Sequence, residues 1–255
     1  MPDALVLREV RRVFRARRRW FRPPKGEVVA VDGVSLAFPK GTITALLGPS
    51  GAGKTTLLRM AGLLDRPSSG DVMIDGSPVT WAEGEVRALR RRVGILLQNP
   101  AMFRRSVRAN VAFGLEMQGV PEKAVEAKVG AALKRVGLGA LADRDARRLS
   151  GGEAQRLAFA RATVLRPEIL LLDEFTVHLD YQNVATLERL VRDFQKVSGG
   201  TVVLVTHSQR QALRLADRAA LVVDGRLIAA GGVHEVLEEP ADPRAREFVL
   251  GDFSL

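Results

Sequence analysis

Three stretches of this chain combine residue types and spacings that suit chemistry on a phosphate. Gly48-Pro49-Ser50-Gly51-Ala52-Gly53-Lys54-Thr55 fits the pattern G-x-x-x-x-G-K-[ST] and continues into Thr56. Successive backbone N–H groups can close around phosphate oxygens only where side chains keep out, hence the glycines at 48, 51 and 53. Lys54 adds a cation suited to β- and γ-phosphates, and the Thr55 hydroxyl suits Mg²⁺. The second stretch is Ile169-Leu170-Leu171-Leu172-Asp173-Glu174, an apolar run that ends in two carboxylates. An acid closing such a strand lies at the carboxyl edge of a sheet, where α/β proteins bind ligands. Asp173 is therefore expected in the Mg²⁺ shell, through water. Glu174 is expected to polarise an attacking water as general base. Alone, an Asp-Glu pair is usually a solvated strand end; the glycine loop upstream makes it a candidate.

The third stretch, Leu149-Ser150-Gly151-Gly152-Glu153-Ala154-Gln155-Arg156, lies between the other two. Ser150 reads as a helix N-cap. The free N–H groups of Gly151 and Gly152 and the helix dipole then favour an anion at that helix start.

These residues need a scaffold. Ala4 to Val10 and Val28 to Phe38 read as β segments, the second with alternating apolar and polar residues. Thr42 to Leu47 is a short apolar run leading into the glycine loop, and Lys54 to Leu64 has helical spacing. Asp71 to Ile74 resumes a strand before an Asp75-Gly76 turn, and Val93 to Leu97 is a buried-type strand ending at Gln98. From Ser106 to Arg148 the pattern is helical, with one helix through Val107 to Met117 and another through Ala124 to Val136. A helix after Ser150 runs until Pro167 stops it. Strands return at Ile169 to Leu172, Thr201 to Val205 and Leu221 to Val223, in the βα alternation of a parallel sheet. The expected organisation is an α/β core of residues 1–87 and 166–255, interrupted by a helical insert of residues 88–165.

Composition narrows the class. The chain has 255 residues, 46% hydrophobic and 27% charged, as in ordinary folded soluble proteins. No apolar run approaches the roughly 20 residues needed to span a bilayer, and no apolar segment follows the basic N-terminus as in a secretory signal. Without cysteine there is no disulfide or thiolate chemistry. The net charge of +10 is concentrated in Arg8, Arg11, Arg12, Arg15, Arg17, Arg18, Arg19, Arg22 and Lys25, around Trp20 and Phe21. The run reads first as a solvated basic loop. Contact with anionic lipid headgroups is the second reading and nucleic acid the third.

Together, the motifs resemble ABC transporter ATP-binding subunits, over residues 3 to about 230. The resemblance implies a P-loop NTPase core of RecA-like type, with an N-terminal antiparallel β subdomain and an inserted helical subdomain carrying the LSGGE signature. It implies an ATPase using ATP and Mg²⁺, two copies (or one paired with a second ABC ATPase) closing head-to-tail on two nucleotides. Ser150, Gly151, Gly152 and Gln155 would then meet the nucleotide of the opposite subunit. Gln98 resembles the Q-loop glutamine, which touches Mg²⁺ and water, and His207 resembles the switch histidine at the γ-phosphate. Phe14 is the positional match for the adenine-stacking aromatic, with Trp20 and Phe21 as alternatives. Two features depart from the family. Phe175-Thr176-Val177-His178-Leu179-Asp180 replaces Pro-Thr-Ser-Ala-Leu-Asp, keeping only Thr176, Leu179 and the D-loop Asp180. The stacking residue is phenylalanine instead of tyrosine.

The segment Gln98 to Val111 resembles bacterial importer ATPases where coupling helices dock, and the tail Asp242 to Val249 resembles phosphate and tungstate uptake systems. The implied partners are integral-membrane permeases and an extracytoplasmic substrate-binding protein, with the chain peripheral on the cytoplasmic face of the inner membrane and no nucleic acid. Exporter or lipoprotein-extrusion ATPases share every nucleotide motif and stand as the alternative. A nucleic-acid or ribosome-associated ABC protein and a small-molecule kinase fit less well, the first lacking a second cassette, the second leaving LSGGE unexplained.

Overall fold

A computed structural model of the chain describes residues 2–15 and 26–251. Trp20, Phe21 and the basic residues from Arg17 to Lys25 lie outside the described residues. The fold divides into two compact units, Met1–Arg90 with Val203–Leu255, and Arg91–Val202.

The first unit opens with β1 (Asp3–Arg15) and β2 (Glu27–Pro39), paired antiparallel. The inner residues of β2 alternate between buried and exposed, as the sequence pattern requires of a half-covered strand. A register shift between Leu7 and Val10 surrounds Glu9, whose φ is 47°, so β1 carries a bulge there. The fully buried β3 (Ile43–Leu47) delivers the chain to the glycine loop and α1 (Lys54–Ala61). Next come β4 (Ser69–Ile74), antiparallel to β1, the short β5 (Ser77–Pro78), and α2 (Glu83–Arg90). The antiparallel sheet runs in the order β2-β1-β4-β5.

The second unit begins with β6 (Val93–Leu96), parallel to β7 (Ile169–Asp173). Between them come α3 (Val107–Met117), α4 (Glu122–Arg135), two short 3₁₀ turns and α5 (Gly151–Thr163). α3, α4 and α5 pack on one another, burying Val111, Leu115, Val129, Leu133, Leu157 and Phe159. β7 is buried along its whole length and is followed by α6 (Tyr181–Ser198), ended by Gly199 in the left-handed conformation.

β8 (Thr201–Val205) begins in the second unit and finishes in the first. There the chain adds α7 (Gln209–Leu215), β9 (Arg218–Val223), β10 (Arg226–Gly232), α8 (Val233–Leu237) and α9 (Pro243–Leu250). β9 lies parallel to β3 and antiparallel to β10. The βα alternation and parallel pairing are those of an α/β protein.

Candidate functional site

In the first unit the glycine loop is fixed by backbone contacts that exclude a side chain. A Cβ on Gly48 would stand 1.9 Å from the Val222 carbonyl oxygen, and one on Gly53 would stand 2.3 Å from that of Ala30. At Gly51 a Cβ would meet nothing within 4 Å, so the loop is tight at its ends and open in its middle. The Gly225 N–H donates to the Ala52 oxygen at 3.1 Å, and Asp32 N–H donates to the Gly225 oxygen at 2.8 Å, tying the loop to β2 through the β9–β10 turn. Arg226, foremost, and Arg11 pair with the Asp32 carboxylate and hold it below the usual carboxylate range.

Lys54 is only 4% exposed, and its Nζ donates to the Gly48 and Pro49 oxygens at 2.7 and 2.6 Å. A buried ammonium must be compensated; here the loop carbonyls contribute, and they hold the cation on the loop itself. Thr55 and Thr56 follow in the first turn of α1, where no acidic side chain competes with an anion.

Two further expected residues belong to this unit. Phe14 sits near the end of β1, opposite Val28; the residue is 41% exposed and the Arg12 guanidinium lies 5.0 Å from the ring centre. An exposed ring with one cation-covered face leaves apolar surface for stacking. His207 follows β8 on an exposed corner. Its neighbours are pinned: Thr206 N–H donates to the Leu46 oxygen, Thr206 Oγ1 donates to Gln211 Oε1 at 2.7 Å, and Ser208 Oγ caps α7.

In the second unit Asp173 ends β7 and is 5% exposed. Glu174 follows with φ 45°, a left-handed conformation unusual for a residue with a Cβ. Phe175 is fully buried, so it extends the core; His178 is exposed with φ 63°. Asp180 caps α6, accepting from the Asn183 N–H at 2.9 Å and from its side-chain amide at 2.6 Å; these bonds, the backbone one foremost, hold its carboxyl below the ordinary range.

Ser150 caps α5 in a complete capping box: Glu153 N–H donates to Ser150 Oγ, and the Glu153 carboxylate accepts the Ser150 N–H at 2.8 Å. The second bond is the main reason the Glu153 carboxyl lies below its usual range. Gly151 and Gly152 form the first turn. Gln155, expected among the nucleotide contacts, is buried and donates from Nε2 to the Gln98 oxygen at 2.9 Å.

Sequence reasoning assigned no role to Asn183 or Arg156. The Arg156 guanidinium donates to Asn183 Oδ1, so the signature helix and the Asp180 turn are bonded inside one unit. The one signal in the sequence was a polar residue three positions after a capping aspartate, as at Asp180 and Asn183.

The donor chemistry fits MgATP. The loop offers N–H groups and a lysine to phosphates, while Thr55, Gln98 and Asp173 are hard oxygen donors. Among the described residues no group of three or more His, Cys, Asp or Glu could hold a metal. Mg²⁺ bound with substrate phosphates needs only one or two protein oxygens. Among the described residues no helix is long and apolar enough to cross a membrane.

Comparison with known proteins agrees. The ABC transporter family model matches residues 31–177. Phosphate import ATP-binding protein PstB 2 of Natronomonas pharaonis is 41% identical over 233 residues, covering 87% of this chain and 81% of that protein. Methionine import ATP-binding protein MetN of Cereibacter sphaeroides is 39% identical over 226 residues, covering 88% of this chain but only 64% of the relative's length. Among solved structures, cbiO1 of Clostridium perfringens, part of the ABC transporter complex cbiONQ, is 30% identical with TM-score 0.81, covering 99% of this chain and 97% of that one. A dimeric ATP-binding cassette in a post-hydrolysis state with ADP and Pi is 27% identical with TM-score 0.81, over 90% and 98% of the two chains. With its phosphate loop, signature helix and paired carboxylates in this order, the chain belongs to the ABC transporter family, as an ATP-binding and ATP-hydrolysing subunit.

Proposed function

We propose that this chain powers a bacterial-type importer, two copies closing head-to-tail on two MgATP and driving separate permease subunits. The observation that carries import over export is that the relatives matched at 41% and 39% identity are both named as import ATP-binding proteins. Each named residue has a part. Gly48 to Thr56 hold the phosphates of one nucleotide and Phe14 stacks on its adenine. Thr55, Gln98 and Asp173 hold Mg²⁺, whose charge offsets that developing on the transferred phosphoryl group. Glu174 orients and polarises the attacking water, and His207 hydrogen-bonds the γ-phosphate. Ser150, Gly151 and Gly152 present the start of α5 to the γ-phosphate held by the other copy. The core is residues 1–87 and 166–255, and the helical subdomain is residues 88–165. The assembly includes an extracytoplasmic substrate-binding protein, with this chain peripheral on the cytoplasmic face of the inner membrane.

An oxyanion cargo is supported by the likeness to the phosphate import ATP-binding protein, 41% identical to this chain.

Glu174→Gln should bind MgATP and accumulate as a dimer on gel filtration, with hydrolysis reduced by at least about 100-fold, because closure survives while water activation is lost. A variant that stays monomeric at saturating MgATP and hydrolyses normally removes Glu174 from this role. Tagged chain purified from gently solubilised membranes should bring a polytopic permease and a binding protein. Ribosomal proteins instead would overturn transport.

A further inference from the structure

Residues 97–105, which follow β6, form neither helix nor strand, yet side chains of the same unit fix their backbone. Gln155 Nε2 donates to the Gln98 oxygen at 2.9 Å, and Arg161 Nη1 donates to the Ala101 oxygen at 2.8 Å. Asn110, fully buried, accepts the Phe103 N–H and donates to the Phe103, Arg105 and Ser106 oxygens. Two of these three struts, Gln155 and Arg161, stand on α5, the helix that begins at Ser150.

Gln155 is the unusual one. It is 5% exposed, and its Oε1 is buried with no hydrogen-bond partner. A buried amide that regains one bond and leaves an acceptor unmade is poor value for stability. An apolar side chain of the same length would pack there without that cost. What only the amide provides is a donor at the Gln98 carbonyl.

We infer that Gln155 is a positioning residue for Gln98, setting that residue's backbone for its work at Mg²⁺ while making no contact with nucleotide. The inference rests on the role proposed above for Gln98. It also defines a mechanical link. Ser150 and Gln155 are separated by about 7.5 Å of helix rise, and a helix moves as a rigid piece over that length. A phosphate that reseats the start of α5 therefore shifts the carbonyl that holds Gln98, through one hydrogen bond.

The test is Mg²⁺ binding to the ATP-loaded full chain by calorimetry, together with steady-state ATP hydrolysis titrating ATP at saturating Mg²⁺ and then Mg²⁺ at saturating ATP. Gln155→Met, close in length and without a donor, should lower kcat by about tenfold and raise the Mg²⁺ half-saturation several-fold, as loss of an outer positioning bond does. KM for MgATP should stay within about twofold. In a Gln98→Ala background Gln155→Met should add nothing further, since both act through one residue. A raised KM with unchanged kcat would make Gln155 a nucleotide contact, and additive losses in the double variant would place its action elsewhere; either overturns the inference. If Gln155→Met loses its fold, Gln155→Asn, which keeps the amide one methylene short, carries the same double-variant test. A Gln98→Ala variant that keeps wild-type kcat and Mg²⁺ half-saturation would instead remove the underlying reading of Gln98.

Discussion

Two loops leave fully buried strands, one after β3 and one after β7, and both turn through left-handed backbone. The loop after β3 does so on glycines, with φ of 143°, 81° and 96° at Gly48, Gly51 and Gly53. The loop after β7 does so on Glu174 at 45° and His178 at 63°. Left-handed backbone costs a residue with a Cβ about 1–2 kcal/mol, whereas glycine enters it without steric cost. The first loop is therefore relaxed, its shape set by residue type. The second must be held from outside, and its flanks supply the hold. Phe175 is fully buried, and Asp180 is locked into the cap of α6 by Asn183, which Arg156 of the signature helix also grips. Strain of this kind persists where the surroundings over-determine it, and it concentrates at working sites. Composition shapes one loop and packing shapes the other.

The contrast is broken most severely at Gly53. An alanine there would drive its Cβ to 2.3 Å from a backbone oxygen while keeping a left-handed φ, so nothing flexible can give way. Gly53→Ala should lose about 3 kcal/mol or more of stability in urea unfolding, and ATP binding with it. Gly51→Ala is the internal control. Its Cβ meets open space, so only the conformational cost of about 1–2 kcal/mol remains. Equal losses at the two positions would show that close approach does not define this loop.

The same contrast explains what the sequence made legible. A fully apolar strand, a glycine loop and a helix declare themselves over consecutive residues, as do Ile169–Asp173 and the capping box at Ser150. The left-handed turn at Glu174 does not, because no residue type announces it; it follows from the burial of Phe175 and the cap at Asp180. β1 runs through Arg11 and Arg12 to Arg15, well past the expected end at Val10, because its pairing with β2 continues over a stretch whose charged residues mask the strand pattern. α1 stops at Ala61 before Gly62, three residues short of the expected Leu64, since Leu63 adopts φ 57°. No pattern in the sequence announces β5, α2, β10, α8 or α9. α2 buries only Val86 among four charged side chains, too little for a period to show. In the site, the bonds from Gln155 to Gln98 and from Arg156 to Asn183 join residues 57 and 27 positions apart. Contacts at that separation come from tertiary packing, to which local pattern is blind.

A smaller effect sharpens the comparison from the other side. If His178 is held in left-handed backbone against its preference, glycine should relax it. His178→Gly removes a steric cost of about 1–2 kcal/mol but adds about 0.5–1 kcal/mol of chain entropy to the unfolded state. The net expectation is a gain of about 0.5 kcal/mol, seen as a higher urea midpoint with an unchanged slope. A clear loss would mean that the imidazole makes a contact worth more than the strain.

The smallest expected effect concerns the start of α5, where a carboxylate completes the helix cap. Glu153 is held below its usual pKa, chiefly by the Ser150 N–H it accepts, with burial opposing. A carboxyl whose folded value is depressed stabilises fully above its unfolded value, near 4.3. That contribution fades as pH falls through the lower folded value. Glu153→Gln keeps an oxygen acceptor for the Ser150 N–H and removes the titration. The wild type should therefore be slightly the more stable chain at pH 7 and give up that advantage in acid. Between about pH 5 and pH 3 the wild type should lose some 0.5 kcal/mol more than the glutamine variant, the small size reflecting solvent screening at the helix end. Urea midpoints of both chains across that window measure the difference directly, with other acid-labile groups cancelling. A gap that stays constant with pH would assign the cap to Ser150 alone and leave the carboxylate as a bystander.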